Sequence, residues 1–236
     1  INRDASHYGL SLIVGGAEST LWELTGAYAS LARIVLQEDS NPVHPPQVIR
    51  SEHPPHQHAQ RPPLSAAAAY HTLIALQNLD RPEMETGWLQ FTGAQRIAWK
   101  TGTSFGHRDA WAIGTTPRYT VGVWTGNADG EGRPGLTGTL AAAPMLFEVF
   151  GTIASTHDFG PPYDELAAMA VCRMSGLRAG VDCTPVDTLQ IIRTALRTAP
   201  CTRHAPRCPA LTCGCDSESG SNTGCAGTSS RTLPRA

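Results

Sequence analysis

Three extended runs close together in the chain constrain its fold more than any other feature. Strand-forming residues fill positions 97–103, 110–115 and 118–125. The link between the second and third runs is short enough for a hairpin, which predicts two adjacent antiparallel strands. Large apolar side chains fall on both faces of the third run, with Val121 and Val123 on one face and Trp124 on the other. Such a sheet needs cover on both sides.

Three helical segments are predicted to provide that cover. The first follows Thr20 and Glu23, which have the spacing of a capping box. Its apolar stripe comprises Leu21, Leu24, Tyr28, Leu31 and Val35. The second begins at the N-cap residue Ser65 and ends near Asn78, with Ala66, Ala69, Tyr70, Leu73 and Ile74 on one side.

The third helix is predicted to begin near Pro144, because proline is tolerated in a first helical turn. Its apolar side comprises Leu146, Val149, Phe150 and Ile153. The pattern as a whole predicts an α/β fold of the layered α+β kind, with an antiparallel sheet flanked by helices. Beyond residue 162 the periodicity weakens.

Composition excludes some classes of partner. The 236 residues are 41% hydrophobic and 16% charged, with a formal net charge of -2, as in an ordinary globular chain. There is no basic field to attract nucleic acid, and we expect no nucleic-acid partner. No apolar run approaches the roughly 20 residues of a membrane span, and no signal-peptide pattern opens the chain. The stretch 37–63 is rich in Pro and His and predicts a loop with at most a short strand near Val48.

All seven cysteines lie in the last third of the chain, at positions 172, 183, 201, 208, 213, 215 and 225. Tail disulfides in an oxidising compartment are one interpretation, although the odd number leaves one thiol over. A metal site is the other, since Cys201, His204, Cys208, Cys213 and Cys215 are ligand types. Their spacing lacks the paired C-x2-C knuckles of common zinc modules, and His56 with His58 lacks a third ligand. We therefore predict no metal and no cofactor, and leave the cysteine pairing open.

Lys100 is the only lysine among eighteen basic residues. An arginine-biased codon usage and a solvated surface lysine would account for it without any site. The alternative is functional, because an ammonium is a compact point charge that a guanidinium does not replace. On a strand, Lys100 and Gly102 point one way while Thr101 and Thr103 point the other. The hydroxyls can donate to a bound carboxylate, and backbone N–H groups on an open edge can stabilise an oxyanion.

The wider context carries a resemblance to a known family. K-T-G-[ST] on a strand is one of three motifs of the penicillin-recognising serine enzymes, beside S-x-x-K and S-x-N. The segments "WKTGTSFGHRDAWAIGTTPRYTVGVWTGN", "GEGRPGLTGTLAAAPMLFEVF" and "CRMSGLRAGVDC" resemble the last portion of the transpeptidase domain of bifunctional class A penicillin-binding proteins, closest to type 1C. The resemblance runs from about Ala5 to about Thr202 and implies a partial penicillin-binding, β-lactamase-like transpeptidase fold.

The resemblance implies acyl transfer from the D-Ala-D-Ala end of a peptidoglycan stem peptide, a dipeptide that β-lactams mimic. It implies that Lys100 organises the serine of S-x-N and that Thr101 and Thr103 bind the substrate carboxylate. The backbone N–H of Thr103 would form part of the oxyanion hole, with Gly102 and Ser104 beside it. It also implies the periplasmic side of the inner membrane, with a membrane helix and a glycosyltransferase domain before Ile1.

Two of the three family motifs are absent from this sequence, so we predict that it contains only half of an active site. S-x-x-K is absent because Ile97 stands three places before the only lysine, and no asparagine has a serine two places before it. Since nucleophilic catalysis needs an activated serine, we expect that this chain alone is not acylated. An N-terminal truncation would produce this loss. The alternatives are a catalytically dead carboxylate-binding remnant or scaffold, and a penicillin-recognising hydrolase, which the sequence context disfavours.

The sequence divides into three parts on this interpretation. Residues 1–160 are predicted to be the C-terminal portion of the transpeptidase domain. Residues 161–212 form a cysteine-bearing extension, and residues 213–236 are a Gly/Ser/Thr-rich tail predicted to be disordered.

Overall fold

The computed structural model describes residues 4–37, 41–48, 62–81, 95–153 and 157–204. The α-helices are α1 (Ala5–Tyr8), α2 (Leu21–Leu36), α3 (Ala66–Gln77) and α4 (Ala143–Thr152). The strands are β1 (Ala98–Thr103), β2 (Asp109–Thr115), β3 (Thr120–Gly126), β4 (Leu166–Cys172) and β5 (Val186–Ile192). Short 3-10 helices cover Gly9–Val14 and Arg193–Arg197, and a π-helical turn covers Gly138–Ala142.

Strands β1, β2 and β3 form an antiparallel sheet in that order, so β1 and β3 are its edges within the described residues. The register pairs Lys100 with Ile113, and it pairs Trp111 with Trp124. The predicted hairpin is confirmed, and each strand begins and ends within two residues of its predicted bounds. The antiparallel sheet with flanking helices that the sequence predicted is the architecture observed.

One face of this sheet is buried by α4. Trp99 of β1 packs edge-on against Phe147, with ring centroids 5.0 Å apart. Leu146 and Phe150 are fully buried in the same cluster. Gly114 of β2 allows this approach, because a Cβ there would lie 2.8 Å from Cε2 of Phe150. The predicted apolar side of α4 missed Phe147 and included Val149, which is 38% exposed.

The other face is buried by α2 and α3. Ala98 of β1 lies in one cluster with residues of both helices, among them Ile34, Val35, Ala69 and Leu73. Gly122 of β3 meets α2 closely, since a Cβ there would lie 2.1 Å from Oγ1 of Thr25. The predicted cover of the sheet by two earlier helices and one later helix is therefore confirmed.

The helix starts were predicted correctly and the buried side of α2 only in part. The Glu23 backbone N–H donates to Thr20 Oγ1 at 3.2 Å, and the Thr20 N–H donates to the Glu23 carboxylate at 3.0 Å. The Ser65 hydroxyl accepts from the Ala68 N–H. In α2 the fully buried positions are Gly26, Ser30, Ala32, Ile34 and Val35, so four of the five predicted stripe residues are only half-buried. A glycine is required at position 26 because a neighbouring segment comes close: a Cβ there would lie 2.6 Å from Cδ of Pro46.

A second, two-stranded sheet was missed by the sequence analysis. Strands β4 and β5 pair antiparallel from Leu166 opposite Ile192 to Cys172 opposite Val186. Every residue of β5 is exposed or half-buried, so the strand has no fully buried face. Its sequence therefore lacks the regular alternation of apolar and polar residues from which a strand is predicted. The Glu165 carboxylate joins this unit to the main body by accepting the N–H of Ala67 at the start of α3, at 2.8 Å.

Some predictions lie outside the described residues. These are the end of the short strand beyond Val48, the pair His56 and His58, and the tail 213–236. Among the described helices, none combines the length and the apolar character needed to cross a membrane.

Replacing Phe150 with alanine is expected to destabilise the chain strongly. Phe150 is 1% exposed and fills the space above Gly114. Removing a buried phenylalanine costs about 3–5 kcal/mol. Val149→Ala, on the exposed side of the same helix, is the matched control and should cost about 0.5 kcal/mol or less. Urea denaturation followed by circular dichroism measures both, and equal effects would contradict the packing described.

Candidate functional site

Strand β1 carries Lys100, Thr101, Gly102 and Thr103 along an edge of the three-stranded sheet. Its neighbours establish which way the side chains point. Ala98 packs towards α2 and α3, and Trp99 packs towards α4. Side chains alternate along a strand, so Lys100 and Gly102 share the first face while Thr101 and Thr103 share the second.

Lys100 is exposed, and its ammonium turns back along the strand. The Nζ atom donates to the carbonyl oxygen of Thr101 at 2.6 Å. An ammonium has three donors, and this contact uses one of them. The ammonium therefore lies beside β1 and keeps two donors for other partners.

Thr103 is held by a residue that the sequence analysis did not select. The N–H of Gly138, in the π-helical turn before α4, donates to Thr103 Oγ1 at 3.0 Å. Gly138 is buried directly on the sheet backbone, and a Cβ there would lie 2.5 Å from the carbonyl oxygens of both Gly102 and Trp111. Because Thr103 Oγ1 accepts this bond, its own hydrogen is left to donate elsewhere.

Ser104 belongs to the turn that follows β1. Its hydroxyl oxygen accepts the Asp109 N–H at 2.8 Å, and its own N–H donates to the Asp109 carbonyl at 2.9 Å. Asp109 in turn accepts the indole N–H of Trp124 at 2.9 Å. These bonds join the turn to β2 and β3, so Ser104 positions the end of β1.

The same turn brings an imidazole and a phenyl ring to this end of the sheet. His107 has a φ of +56° and bonds through Nδ1 to the Leu136 carbonyl at 3.0 Å, and its own carbonyl accepts the N–H of Arg133. Phe105 is 98% exposed. Sequence reasoning selected neither His107 nor Gly138, although both lie in segments quoted for the family resemblance.

A crevice of about 610 Å³ lies elsewhere, between the C-terminal end of α2 and the N-terminal end of α3. Its charged side chains, Arg33 and Glu165, form hydrogen bonds within the protein. Arg33 donates to the Pro42 carbonyl and to Ser30 Oγ, and Glu165 accepts from Ala67. None of its lining residues belongs to β1, so this crevice adds nothing to the Lys100 strand.

A second group of reactive side chains lies beside the β4–β5 unit. Cys172, Cys183, Cys201 and His204 each place one possible ligand atom within 4.8 Å of the others. Hydrogen bonding by Ser175 lowers the pKa of Cys201 to about 5, and burial raises the pKa of Cys183. The sequence analysis had grouped Cys201 and His204 with three later cysteines, which lie outside the described residues.

Comparisons with known proteins were made against families, curated sequences and solved structures. No family model matches this chain. Penicillin-binding protein 1C of Escherichia coli (strain K12) is 34% identical over 152 residues, which cover 62% of this chain and 17% of that protein. The chain thus spans less than a fifth of the length of this relative.

Among solved structures, one of penicillin-binding protein 1A from Haemophilus influenzae aligns with 58% of this chain and 21% of its own. The TM-score is 0.41 and the sequence identity is 17%, too low to support an argument about fold. The sequence match confirms the resemblance found in the motifs: this chain is similar to part of penicillin-binding protein 1C.

Proposed function

We propose that this chain supplies the carboxylate-binding edge strand of a serine-type D,D-transpeptidase that cross-links peptidoglycan. The substrate class is the stem peptide ending in D-Ala-D-Ala, and β-lactams would occupy the same place. The serine and general-base lysine of S-x-x-K, and the S-x-N motif, would come from a preceding part of the same protein. A membrane anchor and a glycosyltransferase domain there would hold the enzyme on the periplasmic side of the inner membrane.

The observation that carries this proposal is the hydrogen bond accepted by the Thr103 hydroxyl. Gly138 supplies a donor to Thr103 Oγ1, which orients the hydroxyl and leaves its hydrogen available. A hydroxyl that already accepts one bond is polarised and suited to donate to an anion. The exposed Lys100 ammonium lies on the same strand. The relationship to penicillin-binding protein 1C supports the identification of the anion as a substrate carboxylate.

The reaction proposed is acyl transfer in two steps. The serine oxygen attacks the carbonyl carbon of the penultimate D-Ala, and the peptide C–N bond breaks to release the terminal D-Ala, whose nitrogen takes a proton. An amine of a neighbouring stem peptide then attacks the ester and restores the serine hydroxyl. In the first step Thr101 and Thr103 hold the carboxylate of the terminal D-Ala, and in both steps the N–H of Thr103 donates to the oxyanion. Lys100 would orient the serine of S-x-N.

A second candidate is a catalytically dead remnant or scaffold that keeps the carboxylate-binding strand. The absence of S-x-x-K and S-x-N from these 236 residues favours it. The DNA upstream of the codon for Ile1 separates the two. An open reading frame that encodes both motifs supports the enzyme, whereas an in-frame stop codon immediately before Ile1 supports the remnant.

The 236-residue chain is expected not to form a covalent adduct with a fluorescent penicillin, because acylation requires the activated serine. The protein extended upstream through S-x-x-K and S-x-N should be labelled under identical conditions. Denaturing gel electrophoresis measures both, with circular dichroism to establish that each is folded. An adduct on any serine of the shorter chain would refute the assignment of the nucleophile to another part of the protein.

In the extended protein, Thr103→Val should lower the second-order acylation rate by about 10- to 100-fold, the loss expected for one hydrogen bond to a charged group of about 1.5–3 kcal/mol. Thr103→Ser keeps the hydroxyl and is the matched control, with a rate within about threefold of the parent. Thermal unfolding of both variants separates stability from binding, because Thr103 also holds Gly138. If valine and serine reduced the rate equally, the hydroxyl would have no role in binding the carboxylate.

A further inference from the structure

The cluster formed by Cys172, Cys183, Cys201 and His204 has the composition and geometry of a four-coordinate metal site. The Nδ1 atom of His204 lies 3.5 Å from the sulfur of Cys172 and 3.6 Å from the sulfur of Cys201. Zinc binds thiolate at about 2.3 Å and imidazole at about 2.0–2.1 Å, so a tetrahedral site separates sulfur from nitrogen by about 3.5–3.6 Å. The two observed distances agree with that separation.

The near-equal distances also argue against a simple hydrogen bond. A single imidazole N–H is directed at one acceptor, whereas Nδ1 of His204 faces two sulfurs at once. A metal ion at the centre of the group satisfies both contacts. We propose that Cys172, Cys183, Cys201 and His204 bind one Zn²⁺ as a structural Cys3His site.

The backbone around the cysteines is arranged to receive negatively charged sulfur. The N–H of Gly180 donates to Cys183 Sγ at 3.3 Å. Such N–H···S contacts surround metal-bound thiolates and fix their orientation. The sulfur of Cys183 therefore already has a backbone donor.

The ligands come from turns that are tied to one another. Cys172 ends β4 and opens a tight turn in which Gly176 has a φ of +71°. The Cys201 N–H donates to the Arg178 carbonyl at 2.8 Å, and Arg203 Nη1 donates to the Met174 carbonyl at 3.1 Å. These bonds hold the segment of Cys201 and His204 against the turn that follows Cys172. The ligand atoms are therefore positioned by contacts with the backbone rather than by flexible side chains alone.

The small unit has little apolar core around the cluster. The buried centre at this point consists of the three cysteines, with Ala179 packed against them. Strand β5 leaves Val186 and Leu189 exposed. A two-stranded sheet is marginal by itself, and small units with little apolar core use metals or disulfides instead. None of the three cysteines is in a disulfide, and pairing two of them would leave the third buried and unpaired.

Zinc binding exchanges the metal ion for thiol protons. One Zn²⁺ replaces three thiol protons, His204 binds as the neutral imidazole, and the complex carries one net negative charge. No oxidant or reductant takes part. The site is a structural one because all four positions are filled by protein ligands.

The test uses the full 236-residue chain, purified with reductant and Zn²⁺ and then dialysed. Atomic emission should find about one zinc per chain. Replacement by Co²⁺ should give the intense visible d–d absorption of a tetrahedral thiolate site, a result that does not depend on any variant. Cys183→Ser and His204→Ala should lose the metal, whereas His204→Cys should retain it with an altered Co²⁺ spectrum.

The matched control is the triple variant Cys208→Ser, Cys213→Ser, Cys215→Ser, which removes three cysteines outside the proposed ligand set. It should keep the full zinc content. Loss of zinc in this variant, absence of tetrahedral Co²⁺ absorption in the parent, or a disulfide between two of Cys172, Cys183 and Cys201 by mass spectrometry would each overturn the proposal.

Discussion

Burial of both faces of the three-stranded sheet is the constraint on which the rest of the structure depends. Each face carries large apolar residues, so α4 must cover one and α2 with α3 the other. Close approach is possible because Gly114, Gly122 and Gly138 stand where a Cβ would collide with a neighbouring element. The same arrangement leaves β1 at an edge and seats the π-helical turn against Thr103. The candidate carboxylate site is thus a consequence of how the sheet is packed.

The β4–β5 unit follows a different principle. The main body is held by aromatic and aliphatic contacts such as Trp99 against Phe147. Around Cys172 the buried groups are three sulfur atoms beside a half-buried imidazole, and these groups gain little from burial but much from coordination. One chain therefore combines a core stabilised by the hydrophobic effect with a small unit whose geometry suits a metal. The carboxylate of Glu165 connects the two at the first turn of α3.

The predictions were correct where they depended on residues that are close together in the sequence. The Thr20–Glu23 capping box, the Ser65 cap and the hairpin between β2 and β3 each depend on residues within a few positions, and all three are observed. Strand β5 was missed because its residues remain exposed or half-buried and show no periodicity. The buried side of α2 was assigned only in part, since the contact of Gly26 with Pro46 involves a chain segment whose path is not encoded in helical spacing.

The sequence by itself determined the antiparallel sheet, its flanking helices, and the lone lysine in a K-T-G-T strand that relates the chain to penicillin-binding proteins. Those features follow from short-range periodicity and from a motif of adjacent residues. Only the tertiary structure decided that Gly138 orients Thr103 and that Cys172, Cys183 and Cys201 meet His204. Gly138 lies 35 residues after Thr103, and Cys172 lies 32 residues before His204. Their meeting depends on how sheets and turns pack, which no local pattern records.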